Sequence, residues 1–163
     1  MWPLACATPE PADGPVAAVP VAADWTLSAA EFAPGGRLPG DIACGEGQHA
    51  TPPTLSWSEP PPGTAALALV AYDPHGRRGR RVLWLAYDIP ASSRGPGDGT
   101  AGINDNNWTG FAGPCPTGGA HEVRFELYAL AAPTHLARAS SLAQLEPSLR
   151  GALARTELVA SAE

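Results

Sequence analysis

Ala65-Ala66-Leu67-Ala68-Leu69-Val70-Ala71-Tyr72, closed by Asp73-Pro74, is the stretch that decides the fold class. The run is short, apolar and uncharged, with Pro and Gly before it and Asp73-Pro74 after it. Such a run reads as a strand buried on both faces. Val82 to Ile89 is a second strand of the same kind, stopped by Pro90. Glu122 to Leu130 alternates instead: Val123, Phe125, Leu127 and Ala129 point one way, Arg124, Glu126 and Tyr128 the other. That pattern predicts a half-exposed strand.

Working outward, Trp25 to Leu27 starts a first strand, and Pro34-Gly35-Gly36 marks a turn. Thr51 to Pro62 is crowded with prolines around Leu55-Ser56-Trp57, with Trp57 as a core anchor. Ser92 to Thr100 reads as a long loop, and Glu157 to Ala160 as a closing strand. Leu142, Leu145, Leu149 and Leu153 recur at helical spacing behind Ser140 or Ser141, either of which suits an N-cap. Pro147 should kink that helix or shift its start. Several strands separated by turns, plus one late helix, predict a mainly β chain. The expected architecture is an antiparallel β-sandwich with a few peripheral helices, one near the C-terminus.

A chain of 163 residues fits one domain with a real core, and 18 Gly with 19 Pro imply dense turns. The net charge of −6 argues against nucleic acid as a partner. All ten basic residues are Arg, and four of them, Arg77, Arg78, Arg80 and Arg81, fall within five positions. They form either a positive spot suited to phosphate or carboxylate or a solvated loop tip.

No apolar run is long enough to span a membrane. Residues 1–23 read as a flexible Pro/Ala-rich leader, and 24–163 as the domain. Within the leader, Leu4-Ala5-Cys6 looks like the end of a bacterial lipoprotein signal, with Cys6 as the lipid-bearing residue. The expected location is the cell envelope or periplasm, with membrane contact only through that anchor; the alternative is the cytoplasm. Cys44 and Cys115 either pair in an oxidising compartment or stand as two buried thiols.

Asn104 to Pro116, followed by His121, places a Gly- and Pro-fixed loop beside an imidazole at the start of a strand. Rigid backbone next to a polar side chain is how small-ligand pockets are commonly built. In chain order, Asp73-Pro74, Trp84, Asp88-Ile89-Pro90-Ala91, Gly113-Pro114-Cys115-Pro116 and His121 before Phe125-Glu126-Leu127-Tyr128 form a recognisable set. Phe32-Ala33-Pro34-Gly35-Gly36, Cys44, Pro52-Pro53 and Leu55-Ser56-Trp57 extend it. The set resembles the phosphatidylethanolamine-binding proteins, in the bacterial Raf kinase inhibitor-like branch, over roughly residues 25 to 160.

The resemblance implies a β-sandwich with a small anion pocket at one end. The ligand-binding residues it assigns are Asp73, Pro74, Trp84, Gly113, Pro114, Pro116 and His121. Three positions depart from the family pattern. Asp-Pro-Asp is here Asp73-Pro74-His75, the His before Trp is Leu83, and His-Arg-Tyr is His121-Glu122-Val123. Two missing side-chain donors weaken anion binding by roughly a hundredfold unless the arginines replace them.

The reading is a non-enzymatic binding protein for a small anion or phospholipid headgroup, with no cofactor. One alternative is a protein-interaction or inhibitor module with a vestigial pocket, acting through loops 92 to 112. Another is a hydrolase-like enzyme with Cys115 as nucleophile and His121 as base. Asp73, His75 and His121 are also weighed as a metal trio, two imidazoles and a carboxylate; no metal is expected.

Overall fold

The structure is a computed structural model that describes residues 14–163. Its elements are β1 (Leu27–Ala29), α1 (Gly40–Ala43), β2 (Leu55–Trp57), β3 (Ala66–Gly76), β4 (Gly79–Pro90), β5 (Thr100–Ala101), β6 (His121–Leu130), α2 (Leu142–Arg150) and β7 (Ala154–Ala162). Five strands make one antiparallel sheet in the order β5-β4-β3-β6-β7, and β1 pairs with β2 in a second. The apolar run becomes the central strand. Leu67 to Tyr72 are each 0% exposed. On one face, Leu67, Leu69 and Ala71 share a core with Phe125 and Leu127 of β6 and with Leu27, Leu55 and Trp57 of the small sheet. On the other, Ala68, Val70 and Tyr72 pack with Leu145 and Leu149 of α2 and with Val16, Ala17 and Val19. At about 1.5–3 kcal/mol per buried Leu, Val or Phe, this double burial holds the sheet in place.

Two expectations fail together here. Strand β6 is not half-exposed, since Glu126 and Tyr128 on its outer face are both 0% exposed. The cover comes from the supposed leader. The Val16 N–H donates to Glu126 Oε1 at 2.9 Å, and the Ala17 N–H donates to the Tyr128 hydroxyl at 3.1 Å. Val21 then bridges to Arg155 of β7 in parallel. Residues 14–22 therefore belong to the domain, not to a flexible leader. The cause is that buried polar groups demand partners, and this segment supplies N–H donors together with apolar Val16 and Val19. The Cys6 assignment lies outside the described residues.

Helix α2 starts at Ser141, whose side chain and that of Gln144 form a reciprocal capping box. The helix runs through Pro147 rather than starting after it. Leu153 lies three positions beyond the helix end and is exposed, so the last leucine of the helical spacing falls outside the helix.

Candidate functional site

The site forms where β3, β4 and β6 end together. Strand β3 pairs with β6 up to Tyr72↔Arg124 and with β4 up to Gly76↔Gly79. This register puts Asp73, Arg81 and His121 at one edge. Asp73 is buried, and its Oδ2 lies 2.7 Å from Nδ1 of His121, whose side chain is 25% exposed. A carboxylate accepts, so Nδ1 donates. Nε2 is left as acceptor in the neutral ring or as a second donor in the imidazolium. The other carboxylate oxygen, Oδ1, accepts the His75 N–H at 2.8 Å. Asp73 thus fixes its own turn and orients the imidazole at once.

The four arginines divide. Arg81 spans two loops, donating from Nη1 to the Pro114 carbonyl at 3.0 Å and from Nη2 to Asn106 Oδ1 at 2.7 Å. Arg80 turns toward the N-terminal segment. Its Nη2 donates to the carbonyls of Gly14 (2.9 Å) and Pro15 (3.3 Å), and its guanidinium sits 4.8 Å from the Tyr72 ring centroid. Arg77 and Arg78 stand exposed at the tip of the β3–β4 hairpin, which Gly79 closes with a φ of +97°. Asp73, His121 and all four arginines, with Asn106, Pro114 and Cys115, line an open cleft of about 800 Å³.

The Gly-Pro loop is pinned from behind. Cys44 and Cys115 form a disulfide, and the Cys115 N–H donates to the Ala43 carbonyl of α1 at 2.8 Å. Gly113 lies so close that a Cβ would come within 2.8 Å of the Ala50 Cβ and 3.0 Å of the Ala43 oxygen. Only glycine fits there. Of the two states open for the cysteines, the structure has the disulfide. Cys115 is therefore no free thiol, and the nucleophile of the hydrolase-like alternative is absent.

The expected ligand residues are only partly gathered. Asp73, Pro114, His121 and the arginines line the cleft, whereas Pro74, Trp84, Gly113 and Pro116 do not. Trp84 is 9% exposed and packs edge-on against Phe111 at 5.6 Å, as part of the inner core. Leu83 and Val123, which replace the two family donors, are fully buried in that same core. The Asp73, His75 and His121 trio does not assemble. Among the described residues no three His, Cys, Asp or Glu side chains gather as a metal requires, and the oxygens of Asp73 are engaged by His121 and by the His75 backbone.

The sequence reading singled out the Asn104 to Pro116 loop but not the side-chain hydrogen bonds that hold it. Asn104 is buried; its Oδ1 accepts the N–H groups of Asn106 and Trp108, and its Nδ2 donates to the Gly110 carbonyl. Asp105 Oδ2 accepts the Val82 N–H at 2.7 Å, tying this loop to β4. The run Asn104-Asp105-Asn106-Asn107 carried the signal, because Asn and Asp side chains close turns on their own backbone.

Comparison with known proteins gives the family. A UPF0098 protein of Methanothermobacter thermautotrophicus is 35% identical over 106 residues, 58% of this chain and 69% of its own. LppC of Mycobacterium tuberculosis, whose name carries the word lipoprotein, is 36% identical over 119 residues, 68% of this chain and 58% of its own. The crystal structure of Escherichia coli YbcL, described as a member of the mammalian PEBP family, matches with a TM-score of 0.78 at 25% identity. It covers 86% of this chain and 99% of that one. The PEBP homologue CT736 of Chlamydia trachomatis matches with a TM-score of 0.77, also at 25% identity, over 85% of this chain and 97% of that one. The family model of the phosphatidylethanolamine-binding proteins matches residues 28–163, and the chain belongs to that family.

Proposed function

We propose that the chain binds a small phosphate- or carboxylate-type anion, without catalysing a reaction, in the cleft at the β3–β4–β6 edge. The observation that carries this reading is the Asp73–His121 pair, 2.7 Å apart, in a cleft that the four arginines also line. The protonated form of an imidazole held by a carboxylate offers Nε2–H to an anion, and guanidinium groups offer forked donors. Each hydrogen bond to a charged ligand contributes about 1.5–3 kcal/mol. The arginines stand in for the donors that Leu83 and Val123 do not supply. A phospholipid headgroup is the natural ligand class given the family name.

A second reading concerns location. The Cys44–Cys115 disulfide favours an oxidising compartment, and the lipoprotein name of the mycobacterial relative agrees with lipidation of Cys6 in this chain. We read the protein as part of the cell envelope.

The test of binding is an NMR titration of the full chain with phosphate and with phosphoethanolamine, following the His121 ring and the amides of residues 110–118. Saturable shifts confined to those groups, weakened about 10- to 100-fold in His121→Gln, are expected. An unshifted His121 ring at millimolar ligand would remove the reading.

A further inference from the structure

The β3–β4 hairpin tip does more than line a cleft. Arg77 and Arg78 are exposed there, flanked by Arg80 and Arg81, on a chain whose net charge is −6. Positive charge is therefore concentrated on one projecting corner, and the rest of the molecule works against any general attraction to anionic surfaces. The same corner holds the start of the described chain. Arg80 Nη2 donates to the Gly14 carbonyl at 2.9 Å, and the Tyr72 hydroxyl lies 3.2 Å from the same oxygen. Gly14 stands eight positions after Cys6, no more than about 29 Å of extended chain.

We propose that this arginine hairpin is a docking surface for an anionic phospholipid bilayer, with Arg77 and Arg78 meeting the lipid phosphates. The docking is electrostatic and does not need the cleft to hold an anion, so it stands or falls apart from the binding reading above. It also does not need lipid on Cys6. Each basic residue near an anionic bilayer contributes about 1 kcal/mol, roughly a fivefold change in partition, lost as salt rises.

The experiment is co-sedimentation of the full, unmodified chain with vesicles of phosphatidylcholine and phosphatidylglycerol, against vesicles of phosphatidylcholine alone, at low and high salt. The expected result is partition onto the anionic vesicles only, abolished by salt and weakened about 25-fold in Arg77→Ala/Arg78→Ala. Arg77→Lys/Arg78→Lys, which keeps the charge, should restore it. Three results overturn the proposal: no partition at low salt, equal partition onto neutral vesicles, or unchanged partition of the double alanine variant. If phosphate shifts the His121 ring while the protein ignores anionic vesicles, docking is overturned and anion binding survives. If vesicles bind and the ring does not shift, the reverse holds.

Discussion

Two buried carboxylates on one sheet meet opposite fates. Asp73 on β3 is 2% exposed and Glu126 on β6 is 0% exposed, and each accepts more than one hydrogen bond. Glu126 takes the hydroxyls of Tyr72 (2.8 Å) and Tyr128 (2.7 Å) and the N–H of Val16. Its donors come from the sheet and from the segment laid across it, so the site is closed. Asp73 takes one backbone N–H and one imidazole, and that imidazole is a quarter exposed. Its far side faces a cleft. A buried acid surrounded by fixed donors builds architecture; one whose donor carries a second, open polar atom builds a site.

The largest effect should come from opening the closed side. Glu126→Ala leaves the Tyr128 hydroxyl and the Val16 N–H without their acceptor and the Tyr72 hydroxyl with only the Gly14 carbonyl, at about 1–3 kcal/mol for each unsatisfied group. Urea unfolding should show a loss of about 3–5 kcal/mol, with raised hydrogen exchange at Val16 and Ala17. A loss under about 1 kcal/mol would mean that water replaces the carboxylate without difficulty and that the contrast with Asp73 is not real.

The cleft side is closed from behind by a covalent link rather than by a polar cluster. Replacing both members of the Cys44–Cys115 bridge with alanine should cost about 2–4 kcal/mol. Its mark should be local as well as global. The amides of residues 111–116 and the Arg81–Pro114 contact should loosen, while the protection of Val16 stays as it is. Equal loosening on both sides of the sheet would break the separation between them.

The smallest effect is a pH dependence confined to the closed side. Burial, and after it the charge of Glu126, push the Tyr72 and Tyr128 hydroxyls above the usual phenol range. Free tyrosine titrates near about 10. Above that pH the unfolded chain releases protons that the folded chain keeps. Stability is therefore complete below about pH 10 and falls as pH rises, by up to ~1.4 kcal/mol per pH unit for each tyrosine. Tyr72→Phe should remove one tyrosine's share of that slope in alkaline unfolding curves. A slope unchanged in the variant would place the alkaline sensitivity elsewhere.

Much of the frame was legible in the residues. The central strand, β4, β6, the late helix with its Ser141 cap and the antiparallel β class all follow from runs, periodicity and capping chemistry. The site was legible only in outline. Asp73, Pro114, His121 and the arginines were singled out and line the cleft, but Trp84 and Gly113 turn out to support it from the core and the loop. The Asn104 loop was singled out, but its internal hydrogen bonds went unread because they are made by side chains whose partners only the folded turn brings near.

What the sequence alone determined is therefore local. The apolar run from Ala65 to Tyr72 makes a doubly buried strand, Gly and Pro set the turns, and charge singles out the arginine hairpin, because each depends on neighbours a few residues away. The tertiary structure decided the rest. It covered Glu126 with residues 110 positions distant, joined cysteines 71 apart, and set His121 against Asp73 across 48 residues. Such contacts depend on strand register and chain path, and only the packing of the whole sheet settles those.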